Sequence, residues 1–345
     1  MKITKKHVTL AGIVALIAIA ILLNTAPHKS GVTGGAIAVG ADDEKVRLGS
    51  SSISPLNSLV TIADNKGFFA DEGFDIELTE FNSGKEALQA FLGGSLDLSV
   101  SGEVPVMFSA LQGNEFYIIT QLVGKTNGHI RVVALRDDEL NDPQSYFKAE
   151  KRKLATPSGS GPEFYTYKFL KRYNITEVEI VNQKPSDMPV TLASKSVDAI
   201  VVFDPFAFIA EQKLGNSSIS FNDADLYSEL FVLVGHKDWV DTHPAETEKI
   251  VSALKKAADF IRSNPGEAKA IISKSTKLDS SVVDGIWGRY LFEPTLNNLL
   301  LENLNAEVQW AKETGKVKPE TTIPDFTNYL YTEALGKVAP EDVTI

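Results

Sequence analysis

Three serine- and glycine-rich turns carry most of the polar chemistry of this sequence: Ser50–Ser54, Ser101–Glu103 and Ser158–Gly161. Each follows an apolar stretch and leads into an amphipathic one, so each reads as a strand-to-helix junction. A helix N-terminus offers free N–H groups and a dipole that favours an anion. Serine hydroxyls add donors without charge, and glycine lets a ligand approach the backbone. The competing reading of any one such turn is ordinary helix capping. Ser158-Gly159-Ser160-Gly161 is the strongest of the three, and no G-x-x-x-x-G-K-[ST] pattern follows to make it a nucleotide loop. Glu163 reads as a first-turn helix acid. Asp204 follows the apolar run Ala199–Phe203, where it either contacts a ligand donor or caps the helix opened by Pro205. Ser51, Ser83, Asn127 and His129 are further candidates on the facing half and the hinge. Arg131 reads as a hinge residue or, by preference, a surface ion pair. Trp287 and Arg289 are placed to lean over a cleft.

Other chemistries lack their residues. There is no cysteine nucleophile, no G-x-S-x-G elbow, no H-E-x-x-H and no three-ligand histidine cluster. No carboxylate pair is spaced for acid–base work. No catalytic residue, metal or cofactor is expected.

These turns need a scaffold. Val46–Gly49 reads as a strand, with Ser54 capping and Pro55 opening a helix faced by Leu56, Leu59, Val60 and Ala63. Phe74–Leu78 alternates apolar and acidic residues, as a strand near a sheet edge does. Ser83-Gly84 opens a helix that Gly93-Gly94 stops. Strands over Leu96–Val100 and Phe116–Val123 complete an α/β half with a parallel sheet. The pattern restarts near His129, with strands at Arg152–Thr156, Val178–Val181 and Ala199–Phe203 and helices at Phe164–Tyr173, Pro189–Lys195 and Pro205–Leu214. Phe231–Val234 is a buried strand returning to the first half. A long helix from Pro244 carries the stripe Ile250, Leu254, Ala257 and Ile261, and the remainder is expected to be mainly helical. The implied division is 45–128 plus 226–345 for lobe one and 129–225 for lobe two.

Length and charge fit this division. The chain has 345 residues and a formal net charge of −11. Its first thirty residues hold four lysines and no acid, so the rest is more acidic still and unsuited to nucleic acid. Lys2, Lys5 and Lys6 precede an apolar run, Val8–Leu23. Sixteen helical residues span about 24 Å, between a signal peptide and a membrane span. The basic flank stays cytoplasmic, so the rest is exported. Residues 1–30 read as a signal peptide or, by preference, an uncleaved anchor, and 31–44 as a flexible tether. Without cysteine there is no lipidated thiol and no disulfide.

The stretch from Lys66-Gly67-Phe68-Phe69-Ala70-Asp71-Glu72-Gly73 to Glu77 resembles the first lobe of the nitrate/sulfonate/taurine-type binding proteins of ABC importers. So do Ser83-Gly84-Lys85-Glu86-Ala87, Gly94–Leu98 and Gly113-Asn114. Leu192–Ala199 and Asp204-Pro205 extend the resemblance into the second lobe. It implies an α/β fold of type II periplasmic-binding-protein kind, with two lobes, a cleft, two crossovers and a C-terminal helical extension. It also implies that Ser51, Ser52, Ser83, Gly84, Gly102, Glu103, Ser158, Gly159, Ser160, Gly161 and Asp204 line the cleft. A small anion would be trapped by hinge closure and handed to a permease with a cytoplasmic ATPase, with the protein a monomer. Family members often carry Glu where this chain has Asp204, which makes an amine-bearing ligand such as taurine less secure. The same framework also serves thiamine-pyrimidine precursors, aromatic acids and some enzymes. A tethered sensor lobe is a third reading.

Overall fold

The computed structural model describes residues 45–51 and 54–345. The Val8–Leu23 segment, the tether and Ser52 lie outside the described residues. Among the described residues no helix is long and apolar enough to cross a membrane.

Alternation builds the first strand, β1 (Lys45–Ser51): Val46 and Leu48 are buried while Lys45 and Arg47 face solvent. Ser54 accepts the Leu56 N–H and Pro55 opens a short 3-10 turn, which runs into α1 (Ser58–Asn65) and then α2 (Phe68–Asp71). The acidic-apolar strand β2 (Asp75–Phe81) pairs in parallel with β1 and forms one edge of the sheet. α3 (Gly84–Leu92) starts at the Ser83 cap, whose hydroxyl accepts the Glu86 N–H. It buries Ala87, Leu88 and Phe91 and ends at Gly93, with Gly94 at φ +79°. β3 (Leu98–Gly102), α4 (Glu103–Leu111) and β4 (Phe116–Thr126) follow.

The chain then crosses to a second sheet through β5 (Ile130–Leu135) and α5 (Pro143–Lys148). There follow β6 (Arg152–Thr156), α6 (Gly161–Arg172), β7 (Val178–Asn182), α7 (Met188–Ala193), β8 (Ala199–Phe203), α8 (Phe206–Leu214) and β9 (Ser218–Phe221). Their order is β7-β6-β8-β5-β9. β8 is apolar along its length because it is an inner strand packed by α6, α7 and α8.

A second crossing brings the chain back through β10 (Phe231–His236), α9 (Lys237–Thr242), α10 (Pro244–Ser263), α11 (Pro265–Thr276) and α12 (Ser280–Trp287). β11 (Tyr290–Asn297), α13 (Asn298–Glu313), α14 (Thr332–Val338) and β12 (Val343–Thr344) close the chain. The predicted stripe of α10 is buried. The seven strands run β12-β11-β4-β10-β3-β1-β2.

Two expectations need correction. The first sheet is mixed, not parallel: β1, β2 and β3 are parallel, but β10 lies antiparallel between β3 and β4. The C-terminal part is not only helical either. Tyr290, Phe292, Pro294 and Leu296 are buried on alternate positions, a period of two that makes β11 a strand against β4. Both sheets belong to one compact unit, Asp42–Ile345.

Candidate functional site

The strand-to-helix junctions of the two sheets meet where α3 and α4 face the loop before α6. The sequence Pro157-Ser158-Gly159-Ser160 turns on itself there. Gly159 sits at φ +67°, a conformation that suits glycine. Its N–H and the Ser158 hydroxyl bond Glu163, the first-turn acid of α6, and the Ser158 N–H bonds Asn182 Oδ1 at 2.9 Å. Lys85 Nζ reaches across from α3 and donates to the Ser158 carbonyl at 3.2 Å.

These contacts frame a cavity of 330 Å³. Its wall brings together Ser83, Ser158 and Ser160 from the predicted set with Lys85, Asn182 and Lys184, and Phe203 closes one side. Among the described residues no carboxylate lines it, while Lys85 and Lys184 do. A second cavity of 460 Å³ shares Lys85 and Ser158 and adds Gly159 and Lys316. Lys316 is paired with Glu163 at 2.7 Å. The Ser158 and Ser160 hydroxyls already donate to Glu163 and to the Pro157 carbonyl, so the site offers the Ser83 hydroxyl, the Asn182 amide and ammonium groups to a small anion.

Among the described residues, the other predicted ones do not line the smaller cavity. Gly84 permits close packing: a β-carbon there would stand 3.0 Å from the Ser101 Cα. Ser51 is buried at the end of β1, its carbonyl accepting from Asn57 Nδ2 at 2.6 Å. Asn127 is exposed and its N–H bonds the Arg289 carbonyl at 2.9 Å.

Asp204 takes the capping alternative. It is fully buried, and its Oδ1 accepts the Phe208 N–H at 3.1 Å at the start of α8. Arg131 and Arg289 flank it at 3.0 and 3.3 Å. Burial pushes this carboxyl up while the two guanidiniums pull it back. Arg131 is no surface residue: it is 1% exposed and forks onto Glu211 at 2.7 and 2.6 Å.

Glu103 is also turned inward. Its carboxylate accepts from Tyr227 Oη at 2.7 Å, the Leu230 N–H at 2.9 Å and Asn303 Nδ2 at 3.0 Å. Beside it Glu229, from the second crossing, meets His129 Nε2 at 2.9 Å and accepts the Gly161 N–H. Burial, and for Glu103 the neighbouring Glu229, pushes both carboxyls up to about 8. Burial pushes the His129 ring down to about 3, so its contact with Glu229 is a hydrogen bond of a neutral imidazole. Glu307 joins the group through Tyr227 at 3.3 Å and is raised well above the usual carboxylate range, first by burial and then by Glu103.

Sequence reasoning missed Lys85, Asn182, Lys184, Lys316 and Glu229. Two had a signal. Lys85 stands two residues beyond the Ser83 cap, and Asn182-Gln183-Lys184 runs off the carboxyl end of β7, the side of a parallel sheet where ligands bind.

The NMT1-like family model matches residues 40–274. The chain belongs to the NMT1-like family. Among curated relatives of this NMT1-like chain, "Putative binding protein BAB2_1146" of Brucella abortus (strain 2308) is 23% identical over 253 residues, covering 70% of this chain and 74% of that protein. The 4-amino-5-hydroxymethyl-2-methylpyrimidine phosphate synthase of Uromyces fabae is 21% identical, over 84% of this chain and 86% of the enzyme. Among solved structures, the periplasmic aliphatic sulphonate binding protein SsuA of Escherichia coli superposes with a TM-score of 0.72 at 16% identity, over 84% of this chain and 92% of that one. The two-sheet architecture of this NMT1-like chain is thus the periplasmic-binding-protein fold that its motifs imply.

Proposed function

We propose that this chain is the extracytoplasmic solute-binding component of an ABC importer and that it captures a small oxyanion, such as an alkanesulfonate, taurine or nitrate, between two lobes. The observation that carries the reading is the 330 Å³ cavity: three serines and two lysines line it, contributed by both sheet systems, and among the described residues no carboxylate does. An anion there gains charge-assisted hydrogen bonds from both sides at once, so it stabilises the closed arrangement over an open one. The kinship with sulphonate-binding structures supports the same class of ligand. In this reading lobe one comprises 45–128 and 226–345 and lobe two 129–225, hinged at the two crossings. The closed form docks on a permease driven by a cytoplasmic ATPase, and no bond is made or broken. Lys2, Lys5, Lys6 and the Val8–Leu23 run support export and a membrane tether.

Calorimetry of the purified protein with nitrate, bicarbonate, methanesulfonate and taurine tests the proposal. Tight binding of at least one is expected. If all four fail while 4-amino-5-hydroxymethyl-2-methylpyrimidine binds, the pyrimidine chemistry of the Uromyces relative replaces the anion.

A further inference from the structure

Phe164, Tyr167, Lys168 and Lys171 recur at helical spacing along α6, so they share one side of it. Ala306, Gln309, Trp310 and Glu313 repeat that spacing along α13. The two stripes face each other across a cavity of 480 Å³. Its floor is aromatic: the Phe164 and Trp310 rings are buried, with centroids 5.4 Å apart. Its rim is charged, with Lys168, Lys171 and Arg172 set against one acid, Glu313. Lys171 is held by Glu313 at 3.2 Å and Arg172 by Asp223 at 3.3 Å. Lys168 is held by neither. It is half-buried, its Nζ stands 5.3 Å from the Phe164 ring centroid, and among the described residues no hydrogen bond or ion pair reaches it. Burial pushes its ammonium below the usual lysine value, while Glu307 pulls the other way. Glu307 is itself pushed well above the usual carboxylate range, first by burial, so it keeps a proton and gives Lys168 no full counter-charge. A partly desolvated ammonium beside aromatic rings, with no acid on it, is one negative charge short.

We propose that the α6–α13 cavity is a second ligand site and that it takes a small aromatic monoanion, with one carboxylate or sulfonate on Lys168 and its ring against Trp310 and Phe164. A mostly apolar cavity of this size with one unsatisfied polar group suits such a ligand. The ring gains burial on aromatic walls, and the single charge gains a charge-assisted hydrogen bond. Glu313 on the rim opposes a second negative charge. This cavity shares no lining residue with the 330 Å³ cavity, so the inference stands apart from the oxyanion reading.

Calorimetry of the full-length protein with 2-naphthoate, against neutral 2-naphthamide, tests it. Naphthoate is expected to bind saturably and at least about tenfold more tightly than naphthamide. Lys168→Met keeps the apolar stem and removes the charge, and should weaken naphthoate about tenfold while leaving naphthamide unchanged. Ala306→Glu, an exposed change on α13, brings a carboxylate to the cavity and should weaken naphthoate likewise. Lys85→Ala should leave naphthoate binding as it is. The proposal is overturned if naphthoate does not bind, or binds no better than naphthamide. It is also overturned if either Lys168→Met or Ala306→Glu, once folded, binds naphthoate like wild type. Loss of naphthoate in Lys85→Ala overturns it too, because the ligand then sits in the lysine-lined cavity. Should one of the two cavity variants not fold, the other decides.

Discussion

Lys85 joins the two halves of the chain through a hydrogen bond to the Ser158 carbonyl, and its ammonium borders both cavities. It is solvent-exposed, so its contribution to an anion is screened by salt. Lys85→Ala is expected to weaken oxyanion binding about tenfold at low salt, and less at high salt, with little change in melting midpoint. Calorimetry at two ionic strengths reads both effects. Deeper in, titration decides stability. Glu103 and Glu229 hold protons in the folded chain up to about pH 8, whereas unfolded they release them near 4.5. Stability therefore falls as pH rises across that window. His129 works in the opposite sense, with a folded value of about 3 against 6.5 unfolded, so stability falls as pH drops below 6.5. The slopes oppose each other below pH 6.5, and only the carboxyl slope remains from 6.5 to 8. The melting midpoint should decline over that interval, by on the order of 1 kcal/mol per pH unit in stability. Glu103→Gln combined with Glu229→Gln should make it shallower, Glu307 keeping part of the slope. A wild-type profile that rises through this range would contradict the assignment.

At the scale of elements, the α6 N-terminus packs directly on the Glu229 side chain. Gly161→Ala forces a β-carbon into the Glu229 carboxylate and should cost roughly 1–3 kcal/mol, the usual range for overpacking. Glu229→Ala removes the clashing atoms, so the double variant should be less destabilised than the sum of the single ones. Additivity in a double-mutant cycle would show that the two residues do not touch. The elements also show what a sequence reveals. β6 and β8 coincide with the runs Arg152–Thr156 and Ala199–Phe203, and Ser54 and Ser83 cap as their types demand. These features are local. β11 was equally local, but its alternation from Tyr290 to Leu296 was hidden among helices and read as helical packing.

At the scale of the molecule, what escaped the sequence is long-range. The place of β10 between β3 and β4 depends on pairing across more than a hundred residues, and turn chemistry does not encode it. Nothing in Tyr227-Ser228-Glu229-Leu230 marks Glu229 as special. Its partners Gly161 and His129 are brought to it by the two crossings. Ser83, Ser158 and Ser160 were legible because serine beside glycine at a helix start has few uses. Asp204 and Arg131 were ambiguous because either partner alone fits a cap, a surface pair or a ligand contact. The halves are bridged at their outer rim as well, by Lys316 on Glu163 and by Tyr167 and Lys171 on Glu313. An anion that draws the lobes together should therefore protect the α6 start and the Lys316 loop from hydrogen exchange in step.

The most direct test of the central claim is a crystal structure of the protein with its tightest-binding oxyanion. The account predicts density for the anion between the lobes, within hydrogen-bond reach of Ser83, Ser158 or Ser160 and of Lys85 or Lys184, with Glu229 still on the Gly161 N–H. An anion bound elsewhere, or seated at Gly161 with Glu229 displaced, would contradict it.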